Sequence, residues 1–291
     1  MPYSESIGFN ANTNDPDEID FTSYVVAHEM AHQYWAHQVV GADQQGGTLT
    51  SETLAQYSAL MVMRKLYGPD QIRRFLEYEL DRYLSGRKGE ATEELPLVRV
   101  ENQGYIHYRK GAVVMYLLQE QLGEARVNAA LRRFVVAHRF QGPPYLRSLD
   151  LIAELRKEAR SPAEQQLITD LFEAITLYDL KVVDAVTRKV GNQWQTTLTV
   201  AAGKFFADGK GKERAVPLAE PIEIGLFTAR PGLGAFSAKD VLLMERRPIR
   251  NGSSRIVLTT RAKPTFAGID PYNFRIDRIS DDNVKDVTTV G

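Results

Sequence analysis

Apolar residues recur at three- and four-residue spacing from about Phe21 to Leu177, and alternate with polar ones beyond Tyr178. The first pattern is that of helices with one buried stripe, the second that of strands with one buried face. It predicts helices over 22–37, 52–67, 69–84, 109–122, 124–138, 148–159 and 162–176. End signals agree: Gly68-Pro69 separates two helices, Gly123 follows the apolar run from Ala112 to Leu117, and Ser148 stands as an N-cap before Leu149. Strands are predicted over 182–186, 194–200, 222–227, 241–244, 256–260 and 274–276, with Trp194, Thr196, Leu198 and Val200 on one face. Asp208-Gly209, Pro231-Gly232, Asn251-Gly252 and Asp270-Pro271 punctuate them as turns. The fold class read from this is α + β and multidomain: a mainly helical domain over 1–177, then an antiparallel β-sandwich over 178–291.

A length of 291 residues gives each part enough chain for its own core. With 36 Lys+Arg against 37 Asp+Glu, the net charge of -1 gives no general electrostatic case for nucleic acid or an anionic membrane surface. The absence of cysteine excludes disulfides, thiolate zinc sites, iron–sulfur clusters and cysteine nucleophiles. No apolar run approaches the roughly 20 residues that span a bilayer, and Met1 to Phe9 lacks the build of a signal peptide. As given, the chain reads as soluble and globular.

Chemistry concentrates in the first predicted helix, where His28-Glu29-Met30-Ala31-His32 forms an HExxH pattern. Residues four apart on an α-helix are separated by roughly 40° around the axis, so the two imidazoles project together and can hold one Zn²⁺. Glu29, one step round from His28, is placed to take a proton from an attacking water rather than to ligate. Val25, Val26, Ala27, Met30 and Ala31 surround the motif with apolar side chains, a costly setting for imidazoles and a carboxylate that no metal satisfies. A further protein ligand is required. The metzincin pattern fails, since Trp35 stands where it needs glycine and Gln38 where it needs histidine, and His37 falls on another helix face. The gluzincin solution takes a glutamate from the next helix, and Glu52, with nineteen residues between it and His32, supplies it.

His28-Glu29-Met30-Ala31-His32-Gln33-Tyr34-Trp35 resembles the HExxHQ(W/Y)(W/F) helix of the aminopeptidase N family of zinc metallopeptidases, and Leu49 to Ala55 resembles its WLNEGFA helix start. Within that family it looks more like the peptidase domains found fused behind multi-spanning ABC-transporter-type permease segments in bacteria. The gap before Glu52 is one residue longer than is usual in the family, as in thermolysin-like enzymes. Tyr108-Arg109-Lys110-Gly111 is similar to the family's Y-x-K-G motif, whose tyrosine donates to the oxyanion; Tyr105 and His107 are neighbouring alternatives. Ser4-Glu5-Ser6-Ile7-Gly8 sits where the family carries GAMEN, with Glu5 and Gly8 matching and Ser6 replacing asparagine. The resemblance implies that Glu5 pairs with a substrate's free α-amino group.

Taken whole, the resemblance implies one Zn²⁺ per chain, held by His28, His32 and Glu52, with Glu29 and Tyr108 catalytic, in a thermolysin-like catalytic lobe over 1–177. It implies a peptide substrate with a free N-terminus, and the removal of N-terminal residues from it. It also implies that the chain is a C-terminal fragment lacking the sheet lobe ahead of the helices, and that the full-length protein is anchored in a bacterial membrane through permease segments. No role for nucleic acid is implied. A thermolysin-like endopeptidase and a noncatalytic extramembranous domain of a transporter-associated protein stay open as alternatives. The run from Gly268 to Asn273 and Asp281-Asp282-Asn283 resembles the ending of the permease-fused members, and by itself reads as turn chemistry.

Overall fold

Asp20 opens the first helix, its carboxylate accepting the Ser23 N–H at 3.0 Å, so an orphan donor of the first turn is satisfied. The computed structural model describes Asn12, Asp15 and residues 18–290. Helix α1 (Phe21–Ala31) stops six residues short of the predicted end. Imidazoles cause the stop: His32 Nδ1 donates to the Trp35 carbonyl at 2.8 Å, and His37 Nδ1 lies 2.7 Å from the His32 carbonyl. Both carbonyls are thereby engaged by side chains, and Ala36 turns the chain at a φ of 100°.

Six further helices follow: α2 (Leu54–Tyr67), α3 (Ile72–Gly89), α4 (Gly111–Leu122), α5 (Glu124–His138), α6 (Ser148–Arg156) and α7 (Pro162–Ile168). Gly68 and Gly123, at φ 89° and 97°, make the sharp reversals after α2 and α4 that a side chain would strain. Helix α4 is apolar on nearly every side and buried along its length, the mark of a central helix. Wide π-helical turns precede α2 (Leu49–Thr53) and α4 (Tyr105–Lys110), and another follows α7 (Thr169–Glu173). Ser148 is not the N-cap of α6: its hydroxyl donates to the Val98 carbonyl at 2.7 Å, while the Asp150 carboxylate accepts the Arg147 N–H at 2.7 Å. Among the described residues no helix is long and apolar enough to cross a membrane.

Strands begin at Ile175. One sheet runs β3 (Glu213–Val216), β2 (Gln193–Ala207), β1 (Ile175–Val190), β9 (Thr288–Thr289), with β6 (Gly252–Thr260) also paired to β2. The other runs β5 (Val241–Pro248), β4 (Pro221–Phe227), β7 (Phe266–Ile269), β8 (Val284–Asp286). All pairs are antiparallel except β1 with β9. Thr196, Leu198 and Val200 are buried, as alternation predicts, and Leu198 and Val200 join Leu180, Ile222, Ile224, Leu226, Leu258 and Ile269 in the core between the sheets.

The predicted strand over 274–276 is absent. Asp270 takes over its backbone, accepting the N–H groups of Phe274 at 3.3 Å and Arg275 at 3.0 Å. The segment from Asp270 to Asp277 is more than turn chemistry, because it joins the two parts of the molecule. Tyr272 donates to Asp70 at 2.7 Å, Arg73 donates to the Pro271 carbonyl at 2.9 Å, and the Phe274 ring lies 5.7 Å from Tyr116 of α4.

Asp277 closes the segment, accepting the N–H groups of Leu180 and Ile279 at 3.0 and 3.1 Å. Burial nevertheless pushes its carboxyl up to about 7. A carboxyl whose folded pKa is raised stabilises the fold most below its unfolded value near 4, and that contribution is lost as pH rises from about 4 to about 7. The stability difference between the parent and Asp277→Asn, read from urea midpoints, is expected to shift against the parent across that window. A difference that stayed flat would show that Asp277 does not titrate there.

Candidate metal centre

Helix α1 brings His28 and His32 onto one face, and the π-helical turn before α2 carries Glu52 to meet them. The three ligand atoms form a nearly equilateral triangle: 3.2 Å between the two Nε2 atoms, 3.3 Å from His28 Nε2 to Glu52 Oε2, and 3.4 Å from His32 Nε2 to the same oxygen. A tetrahedral site with metal–ligand distances of about 2.0–2.1 Å has edges of about 3.3–3.4 Å, so the donor set matches zinc in kind and in spacing.

Tautomer and burial point the same way. The Trp35 carbonyl can only accept, so His32 Nδ1 carries the proton and Nε2 offers its lone pair to the triangle. Glu52 Oε2 is buried without a hydrogen-bond partner, as is His28 Nδ1. Burial would raise the Glu52 pKa, but the two histidines outweigh it and hold the carboxyl well below the usual range. Interaction with Glu52 in turn raises the His32 pKa, against the opposing effect of burial. Three electron-rich atoms converging at these distances repel one another unless a cation lies among them.

Glu29 is half-buried beside the triangle, close enough to act electrostatically on both His32 and Tyr108. Tyr108 comes from the π-helical turn before α4, with its ring 5.6 Å from that of His28. Burial, then the charge of Glu52, pushes its hydroxyl up to about 12, so it stays a proton donor throughout the neutral range. The two alternatives are placed differently. Tyr105 points away and stacks on Tyr83 at 6.0 Å, while His107 is buried with its ring 4.4 Å from Tyr108, and burial lowers its pKa to about 4. His37 is exposed and does not join the ligands. Glu5 lies outside the described residues.

The apolar setting of the motif is only partly buried. Val26 and Met30 are 37% and 54% exposed and line, with Leu66 and Val136, a groove of about 1060 Å³ along α1. Thr53 and Gly111, which lie within the sequence motifs but carry no predicted role of their own, sit where the two π-helical turns touch. The Thr53 hydroxyl donates to the His107 carbonyl at 2.6 Å, and a Cβ on Gly111 would stand 2.6 Å from the Thr53 side chain. A glycine directly after Tyr-x-Lys at a helix start is the signal that a close approach was needed there. Beneath them, fully buried Glu79 accepts from Tyr24 at 2.7 Å, Gln56 at 2.8 Å and Arg109 at 3.2 Å, binding α1, α2, α3 and the Tyr108 turn together.

The Peptidase family M1 domain matches residues 4–174 of this chain. Among solved structures, the chain is similar to a mutant M1 zinc metallopeptidase from Deinococcus radiodurans bound to a Tyr-Ser-Ala substrate, at 20% identity and a TM-score of 0.42. That match covers 51% of this chain and 32% of the Deinococcus chain, so the present chain spans only part of the length of that protein. No curated protein matches the chain.

Proposed function

The chain belongs to peptidase family M1, and on that premise we propose that it hydrolyses peptide bonds with one zinc ion per chain, removing residues from a free N-terminus. The observation that carries the reading is the triangle of His28, His32 and Glu52, with its zinc-like edges. Bound there, zinc supplies Lewis-acid polarisation of the scissile carbonyl and lowers the pKa of water toward about 7. The chain's own groups do the rest. Glu29 accepts the proton of the attacking water and returns it to the leaving amine. The Tyr108 hydroxyl donates to the carbonyl oxygen as negative charge develops, a bond worth most in the transition state. Glu5 is proposed to pair with the α-amino group of the substrate, which would restrict cleavage to the first residue.

Elemental analysis of the folded protein is expected to find about one zinc per chain, sharply reduced in Glu52→Ala because a carboxylate ligand is lost. A folded parent that binds no zinc would sink the reading. Peptides with a free N-terminus are expected to be cleaved and their N-acetylated counterparts spared. Cleavage of the acetylated peptides would favour the endopeptidase alternative, to which the longer gap before Glu52 lends support.

A further inference from the structure

We propose that Thr53 is a positioning residue that locks the oxyanion donor Tyr108 to the metal ligand Glu52 by clamping the two π-helical turns together. The inference rests on the peptidase reading above and concerns how its two halves are held in register. Glu52 and Thr53 are consecutive in the turn before α2, and His107 and Tyr108 are consecutive in the turn before α4. The widened second turn sends the Gly111 N–H to the carbonyls of Ile106 and Tyr108, so the His107 carbonyl does not receive the bond an α-helix would give it from four residues on. Thr53 donates to that carbonyl from a fully buried position, at 2.6 Å. A single hydroxyl therefore links the residue after the metal ligand to the residue before the tyrosine.

Space for the clamp is made by Gly111. A Cβ there would approach both Thr53 Oγ1 and Cγ2 to 2.6 Å, in a fully packed interior where neither turn can yield without moving Glu52 or Tyr108. The side chain of Thr53 thus has two separable jobs: its methyl fills the contact with Gly111, and its hydroxyl sets the Tyr108 turn. Misplacement of a catalytic group by a fraction of an ångström is felt mainly in the transition state, where the tyrosine's bond is strongest.

Removal of the hydroxyl in Thr53→Val keeps the shape and takes away the side-chain bond to the His107 carbonyl. The zinc content is expected to stay at the parent level, while kcat falls about ten- to hundredfold with KM within about twofold. Affinity for a phosphinic pseudopeptide, whose tetrahedral oxygens occupy the place of the developing charge, should fall in parallel by calorimetry on the zinc-loaded protein. Thr53→Ser, which keeps the hydroxyl and loses the methyl, should lower the melting temperature yet retain kcat and inhibitor affinity. Gly111→Ala, which displaces the Thr53 side chain, should reproduce the valine pattern and serves if Thr53→Val does not fold. In a Tyr108→Phe background Thr53→Val should cost nothing further in kcat, because the group it positions is already gone. Parent-like kcat and inhibitor affinity in Thr53→Val, an equal loss in Thr53→Ser, or full additivity with Tyr108→Phe would each overturn the clamp. A parent that binds the phosphinate but hydrolyses no peptide would instead defeat the peptidase reading, with the inhibitor affinities still deciding on Thr53.

Discussion

Glu29→Gln is expected to retain zinc at the parent level and to lower kcat by about 10²–10⁴-fold, the usual contribution of a positioned general base. The two halves of that result have separate causes. Glutamine has the outline of glutamate, and Glu29 is not one of the three atoms of the metal triangle, so His28, His32 and Glu52 keep their edges of 3.2–3.4 Å. An amide, however, has no basic lone pair at neutral pH, so the proton of the attacking water has no acceptor. KM should change little, because the lost interaction belongs to the transition state. Elemental analysis and steady-state kinetics on the same preparation check both halves, and near-normal turnover would remove Glu29 from this role. Loss of zinc along with turnover would make Glu29 a structural support of the ligands instead.

What the sequence could disclose about the site follows from which interactions are local. His28, Glu29 and His32 are readable because four-residue spacing on a helix fixes their relative direction before any tertiary contact forms. Glu52 is readable only through the spacing of a known pattern, since a π-helical turn rather than a plain helix start delivers it. Among Tyr105, His107 and Tyr108, residue type could not choose. The widened turn places them differently, rotating Tyr105 onto Tyr83 and leaving Tyr108 against His28, which supports the role proposed for Tyr108. Thr53 was invisible because its partner is a backbone carbonyl 54 residues away.

The same division explains the fold. Helix and strand periodicities are legible wherever burial alone selects the conformation, as along α5 and in the alternation of β2. They mislead where side chains compete for backbone groups: imidazoles end α1 early, and the Asp270 carboxylate dissolves the expected strand over 274–276. Neither competition carries a hydrophobic signature. Both create a special geometry, one at the metal centre and one at the joint between helices and sheets.

That joint should fail in a large and specific way. Arg275→Met is expected to cost about 3–5 kcal/mol in urea-induced unfolding, the range found when one member of a buried ion-pair network is removed. Arg275 is fully buried, with Nη1 2.5 Å from Glu223 Oε2 and 3.0 Å from Asp270 Oδ1, and Nη2 2.8 Å from the Pro221 carbonyl. Methionine fills much of the same volume, so packing is not the main loss. The cost comes from Asp270 and Glu223, carboxylates left in a dry interior. Burial already pushes the Asp270 carboxyl up to about 6 with the guanidinium in place, whereas Glu223 is held below its ordinary range because Arg275 and Arg246 outweigh its burial. Without Arg275 both pKa values should rise, and protonation should relieve part of the penalty. The stability gap to the parent should therefore be smaller at pH 5 than at pH 8, as linkage requires when folded-state carboxyl pKa values are raised. Adding Asp270→Asn and Glu223→Gln to Arg275→Met should recover much of the loss and flatten its pH dependence. If the single variant were as stable as the parent at pH 8, the buried carboxylates could not be ionised in the native protein, and the network would be held by neutral hydrogen bonds.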